Sequence, residues 1–148
     1  MWSIVNTDQA RAIAQVLYHG RVDWSSKPEF EHLERVAYNV TTHCQVVAYL
    51  HDAVEDGLTT LGALRDAGIS DTEYNALFLL TRMPEETYLD YIRCIAHAEG
   101  EAGEIAVEVK LADNHDNCSR PCPADKMGMR APGGRYDKAR QILEGLRE

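Results

Sequence analysis

Apolar residues recur at intervals of three and four along almost the whole chain, and no stretch of more than a few residues alternates strictly between apolar and polar. That spacing fits one buried face of an α-helix and not the two faces of a half-buried strand. An all-α fold follows, a single-domain bundle of about seven to eight helices. The 148 residues suit one domain spanning residues 1–148, and a chain of this length buries about two thirds of its unfolded surface.

The helices can be placed by their caps. The first runs from Thr7, as N-cap, to Tyr18 with Ala10, Ile13, Ala14 and Leu17 on one face, and residues 20–28 connect it to a second from Glu29 to Asn39. A third starts near Thr41 or Thr42 and continues through VVAYLHDAVEDG to Gly57; it is apolar nearly all round in its middle, which predicts a central position. A short helix lies between Thr59 or Thr60 and Gly68. Ser70 and Glu73 form a capping-box pattern that opens the next, with Tyr74, Leu77, Phe78 and Leu80 facing the core. Pro84 suits a first helical position, and Tyr88, Tyr91, Ile92 and Ile95 share a face of the helix that ends at Gly100. A helix over residues 101–118 precedes a long loop, 119–134, rich in proline and glycine. The last helix starts at Arg135 and buries Tyr136, Ala139, Leu143 and Leu146.

Polar residues on core faces are the informative exceptions. Steps of four link Ile105, Val109, Asp113 and Asn117, so a carboxylate sits on an apolar stripe. An unpaired buried carboxylate costs several kcal/mol or more, on the order of its desolvation penalty. Asp113 therefore needs a partner, which an arginine or a metal ion would each provide. His51 and Asp52 likewise interrupt the central helix between Leu50 and Ala53. They point about 100° apart, yet both can reach an ion lodged beside the helix. One divalent cation would satisfy all three residues.

Composition narrows the partners. A net charge of −9 disfavours duplex nucleic acid, which is bound by basic surfaces. A small anionic ligand would need a local cluster of cations or a metal ion. No apolar run approaches membrane-spanning length and no secretory leader is recognisable, so no membrane partner and a cytoplasmic location are expected. Four irregularly spaced cysteines suggest reduced thiols. A zinc site from His115, Cys118 and Cys122 would have only three local ligands at irregular spacing.

The segments YLHDAVEDG, TTLGALRDAG, LTR, ETYLDYI and VKLADNHDN follow one another in an order that resembles the HD superfamily, in the RelA/SpoT-type branch that includes small stand-alone alarmone hydrolases. The similarity extends from about Ala12 to the last helix, and HDxVED combined with KLADxxxN is its specific part. The resemblance implies an all-α phosphohydrolase with one divalent metal ion, usually Mn2+. By position it assigns His32, His51, Asp52 and Asp113 as metal ligands. It assigns Glu55 and Asp56 to the attacking water, and Asn117 to substrate or the metal's surroundings. Cations for the remaining phosphates would come from Arg35, Lys110, Arg120, Lys126, Arg130 or Arg135.

Three positions depart from the alarmone hydrolases. Asp23 and Trp24 stand where those enzymes carry an Arg-Lys pair that packs on guanine, and Arg120 replaces a threonine. Trp24 could stack on another base. The expected function is a nucleotide phosphohydrolase, of which an alarmone 3′-pyrophosphohydrolase is one form. The competing readings are an HD phosphatase for another nucleotide or a dinucleotide cofactor, and a non-catalytic nucleotide- or metal-binding regulatory module.

Overall fold

The computed structural model describes residues 4–145. Eight α-helices form there: α1 (Thr7–Leu17), α2 (Glu29–Tyr38), α3 (Gln45–Leu50), α4 (Leu61–Ala67), α5 (Asp71–Leu79), α6 (Tyr88–His97), α7 (Gly100–Ser119) and α8 (Arg135–Leu143). Short 3-10 turns precede α3 (Thr42–Cys44) and α8 (Ala124–Met129). No strand forms among the described residues; one antiparallel bridge, Val22 to Pro28, closes the α1–α2 loop. The all-helical expectation holds, and no helix among the described residues is long and apolar enough to cross a membrane.

Local chemistry accounts for most of the boundaries. Ser70 and Glu73 exchange the two hydrogen bonds of a capping box at α5, Thr60 caps α4, and α4 stops at Gly68, whose φ of 117° a side chain would disfavour. Four expectations need correction. Asn6, not Thr7, caps α1, because its side chain and that of Gln9 form a second capping box. Pro84 does not take a first helical position; Thr87 opens α6 by accepting from Asp90 N–H. Phe78 is half exposed on the outer side of α5, whereas Leu77 and Leu80 are buried. Leu146 lies outside the described residues.

The fourth correction shapes the site. The central helix stops at Leu50, and residues 51–57 continue as turns of mixed span: Ala53 N–H bonds to Leu50 O and Gly57 N–H to Val54 O, three residues back, and Asp56 N–H to Asp52 O, four back. The cause is local. His51 Nδ1 donates to Ala48 O at 2.6 Å, and that carbonyl would otherwise serve the next α-helical turn. Asp52 and Glu55 both face the cavity beside this turn.

Helix α7 is the spine, packed against α2, α3, α5, α6 and α8. Val46 to Leu50 of α3 are all buried, which matches the central position expected of that helix. Close approach also fixes Gly103 in the first turns of α7, where a Cβ would stand 2.3 Å from Ala98 O. Because the obstacle is backbone, Gly103→Ala is expected to destabilise by about 1–3 kcal/mol, read as a lower urea midpoint at unchanged slope.

Candidate metal centre

Three helices deliver four donors to one point. His32 comes from α2, His51 and Asp52 from the end of α3, and Asp113 from the middle of α7; one ligand atom of each lies within 4.8 Å of the others. Asp113 Oδ1 is 3.0 Å from His32 Nε2 and 3.2 Å from His51 Nε2, while Asp52 Oδ2 is 3.3 Å from His51 Nε2 and 3.9 Å from His32 Nε2. Both histidine side chains and Asp113 are almost fully buried, and Asp52 is about a quarter exposed on the side of the cavity. Among the described residues, His115, Cys118 and Cys122 do not converge into a comparable group, so the zinc alternative that their spacing already disfavoured gains no support.

Each imidazole is oriented through its other nitrogen. His32 Nδ1 donates to Asp116 Oδ2 at 2.6 Å, and Asp116 is itself held by Arg35 Nε at 2.7 Å; His51 Nδ1 donates to Ala48 O. An acceptor at each Nδ1 places the proton there and aims the Nε2 lone pair at the centre. His51 Nε2 is buried with no hydrogen-bond partner. Two lone pairs facing two carboxylates repel unless a cation lies between them, as a proton or as a metal ion. Accordingly, burial alone would lower the His51 pKa, but the charges of Asp52 and Asp113 outweigh it and hold it well above the usual histidine value. A set of two imidazoles and two carboxylates suits a divalent ion such as Mn2+.

Of the two partners that the sequence left open for Asp113, an arginine or a metal ion, the structure supplies a side-chain cation, and it is a lysine. Lys110 Nζ sits 2.9 Å from Asp113 Oδ2 and is buried. Burial would raise the Asp113 pKa, but Lys110 and then His51 drive it far below the carboxylate range. Lys110 is thus engaged by Asp113 and is not a free contact for a ligand.

The centre opens into a cavity of about 300 Å3 whose wall includes Trp24, Asp52, Glu55, Asp56, Asn117 and Tyr136. Arg82 N–H donates to Glu55 Oε1 at 2.8 Å, and Tyr18 OH to Asp56 Oδ2 at 2.8 Å. The surrounding protein raises the pKa of both carboxyls by desolvation, with the nearby Asp52 charge adding to it. Asn117 Nδ2 lies 3.4 Å from Asp113 Oδ1, and the half-exposed Trp24 ring stands at the cavity wall.

Several predicted cations take other places. Arg35 grips Asp116 outside the cavity wall and positions His32 through it. Arg120 does reach the cavity, but Asp23 and Glu29 at 3.5 Å and Asp116 at 3.4 Å surround its guanidinium, which also donates to Asn117. Lys126 is outside the cavity, Arg130 lines it, and Arg135 borders a smaller adjoining one. Asp23 is consumed by its own turn, accepting from Ser25 N–H, Ser25 Oγ and Lys27 N–H. Sequence reasoning missed Asp116, although a carboxylate three residues after Asp113 on one helix was a readable signal. It also missed Tyr18, Arg21 and Arg82, which reach the site from elements distant in sequence. Asp116→Asn should weaken divalent-ion binding about 10- to 100-fold, as loss of such an outer carboxylate generally does; unchanged affinity by calorimetry would remove Asp116 from this role.

No protein-family model matches the chain, and no curated protein is significantly similar to it.

Proposed function

We propose that this protein is a metal-dependent phosphohydrolase of the HD type acting on a nucleotide. The observation that carries the reading is the orphaned, buried His51 Nε2 at the meeting point of His32, Asp52 and Asp113, with two further carboxylates, Glu55 and Asp56, on the adjoining cavity wall. A divalent ion held by the four donors, Mn2+ by the resemblance, would supply Lewis-acid polarisation of a phosphoryl oxygen. Glu55 and Asp56 orient the attacking water and accept its proton, and their raised pKa values make them better bases than ordinary surface carboxylates. Their own hydrogen bonds, from Arg82 N–H and Tyr18 OH, keep them in place. Arg21 and Arg130 on the same wall offer donors to phosphate oxygens.

Trp24 gives the organic end of a nucleotide a ring to stack on. With Asp23 engaged by its own loop and by Arg120, the wall lacks the Arg-Lys pair of the alarmone hydrolases, which favours a nucleotide or dinucleotide other than the alarmones. The test is a phosphate-release screen with Mn2+ over alarmones, nucleoside mono- to triphosphates and dinucleotide cofactors. Release that disappears in Asp52→Ala supports the proposal. Full metal binding without release from any substrate would instead make the chain a non-catalytic binding module, and equal release by Asp52→Ala would sink the metal-centre reading.

A further inference from the structure

Three cations gather on one tyrosine beside the metal centre. The Arg82 guanidinium lies 5.8 Å, Lys110 Nζ 5.7 Å and the Arg135 guanidinium 4.5 Å from the centroid of the Tyr88 ring. Tyr88 is a fixed platform, since its OH donates to Asn114 Oδ1 at 3.2 Å and its ring packs against Tyr91 and Tyr136. Arg82 reaches the platform from the α5–α6 turn, Lys110 from α7 and Arg135 from the first turn of α8.

Their partners are unequal. Lys110 is neutralised by Asp113. Among the described residues neither the Arg82 nor the Arg135 guanidinium has a carboxylate within ion-pair distance, and the Arg82 side chain donates from Nε to Glu86 O. Arg21 and Arg130, which line the larger cavity, also lack such a partner among the described residues, whereas Arg11, Arg35, Arg65, Arg93, Arg120 and Arg140 are all paired with acids. In a chain of net charge −9, acids are abundant, so two unpaired guanidinium groups converging on one ring need another explanation. Each cation–ring contact contributes only about 0.5–1 kcal/mol at exposed positions, and like charges brought together work against it.

These groups border a cavity of about 200 Å3 that shares Asp52, Glu55, Asn117 and Tyr136 with the larger cavity at Trp24. Asp52 of the four-donor group lines both chambers, and Asp113 the smaller. Trp24 is the stacking surface of the larger, whereas the smaller is lined by three cations and three tyrosines on one side and by Asp52, Glu55 and Asp113, the last already paired with Lys110, on the other.

We infer that the Arg82–Arg135 chamber is an anion subsite that takes a phosphoryl group of the substrate other than the one at the metal centre, so that the substrate carries at least two phosphoryl groups, with its organic end toward Trp24. This rests on the phosphohydrolase reading for its biological meaning, but its physical content, an anion site independent of the metal donors, does not. The guanidinium groups provide several N–H donors suited to phosphate oxygens, and the tyrosine platform holds them so that little side-chain freedom is lost on binding.

The test uses inorganic pyrophosphate as the probe, titrated calorimetrically into the full chain in EDTA at low salt, so that no metal ion can carry the anion. The wild type is expected to bind it, and Arg135→Gln and Arg82→Gln each to weaken binding about tenfold, as loss of one charge-assisted contact does. Lys126→Gln, an equal change of charge in the loop before α8 and outside both chambers, should leave binding unaltered. Arg135 is exposed at the first helical position of α8, so its variant is expected to keep the wild-type melting temperature and to carry the test if Arg82→Gln proves unstable. No pyrophosphate binding by the wild type, or equal losses in Lys126→Gln and Arg135→Gln, overturns the subsite. A phosphate-release screen that fails while these results hold would overturn the hydrolase reading and leave the anion site standing.

Discussion

Asp113→Ala is expected to cost the fold about 3–5 kcal/mol, the usual consequence of removing one member of a buried ion pair. The side chain is almost wholly buried, and among the described residues it alone forms an ion pair with Lys110, whose ammonium lies 2.9 Å away in the interior. Truncation strands that charge and leaves a void on the stripe of Ile105 and Val109. Against a typical total of about 5–15 kcal/mol for a domain, such a loss leaves a large unfolded fraction at moderate temperature. Asp113→Asn preserves volume and an acceptor for Lys110, so it should cost much less while still removing a charged donor from the centre. Urea denaturation of both variants separates packing from charge. A loss below about 1 kcal/mol in Asp113→Ala would show that Lys110 finds water or another partner, since ordinary surface changes have effects of that size.

The second large effect concerns Glu55. Glu55→Gln should lower kcat by about 10^2- to 10^4-fold, the range associated with losing a positioned proton acceptor. Metal affinity should change little, because Glu55 is outside the four-donor group. Glutamine can still accept the Arg82 N–H, so the turn that carries it is preserved. Asp52→Ala, by contrast, is expected to lose metal binding and turnover together. Calorimetric metal titration beside phosphate-release kinetics distinguishes the two patterns. If Glu55→Gln keeps its kcat, the proton acceptor is Asp56, which Tyr18 holds on the same wall.

Much of this site is written as pattern breaks. Asp113 could be noticed because a carboxylate on the stripe of Ile105 and Val109 must be compensated, and His51 and Asp52 because they interrupt the most apolar helix. His32 is different. It sits on a helix face among Leu33, Val36 and Ala37, where a packing histidine would look the same, and only the resemblance picked it out. Arg35 and Arg120 show the opposite limit. Their charge suggested ligand contacts, yet acids from distant segments, or from the next turn of α7, already surround them. Charge is visible in a sequence; the partner that cancels it usually is not.

The sequence by itself determined the helical class, through apolar spacing of three and four, and most helix ends, through Thr60, Gly68 and the Ser70–Glu73 box. These are local matters, decided within one or two turns of chain. Tertiary structure decided the rest, because it depends on which helices cross. The meeting of α2, the end of α3 and α7 turned four scattered residues into one donor set. The capture of Ala48 O by His51 ended the central helix at Leu50, and the turns that follow put Asp52 and Glu55 on one cavity wall. Only the packing of α6 and α8 against α7 brought Arg82, Lys110 and Arg135 onto the Tyr88 ring.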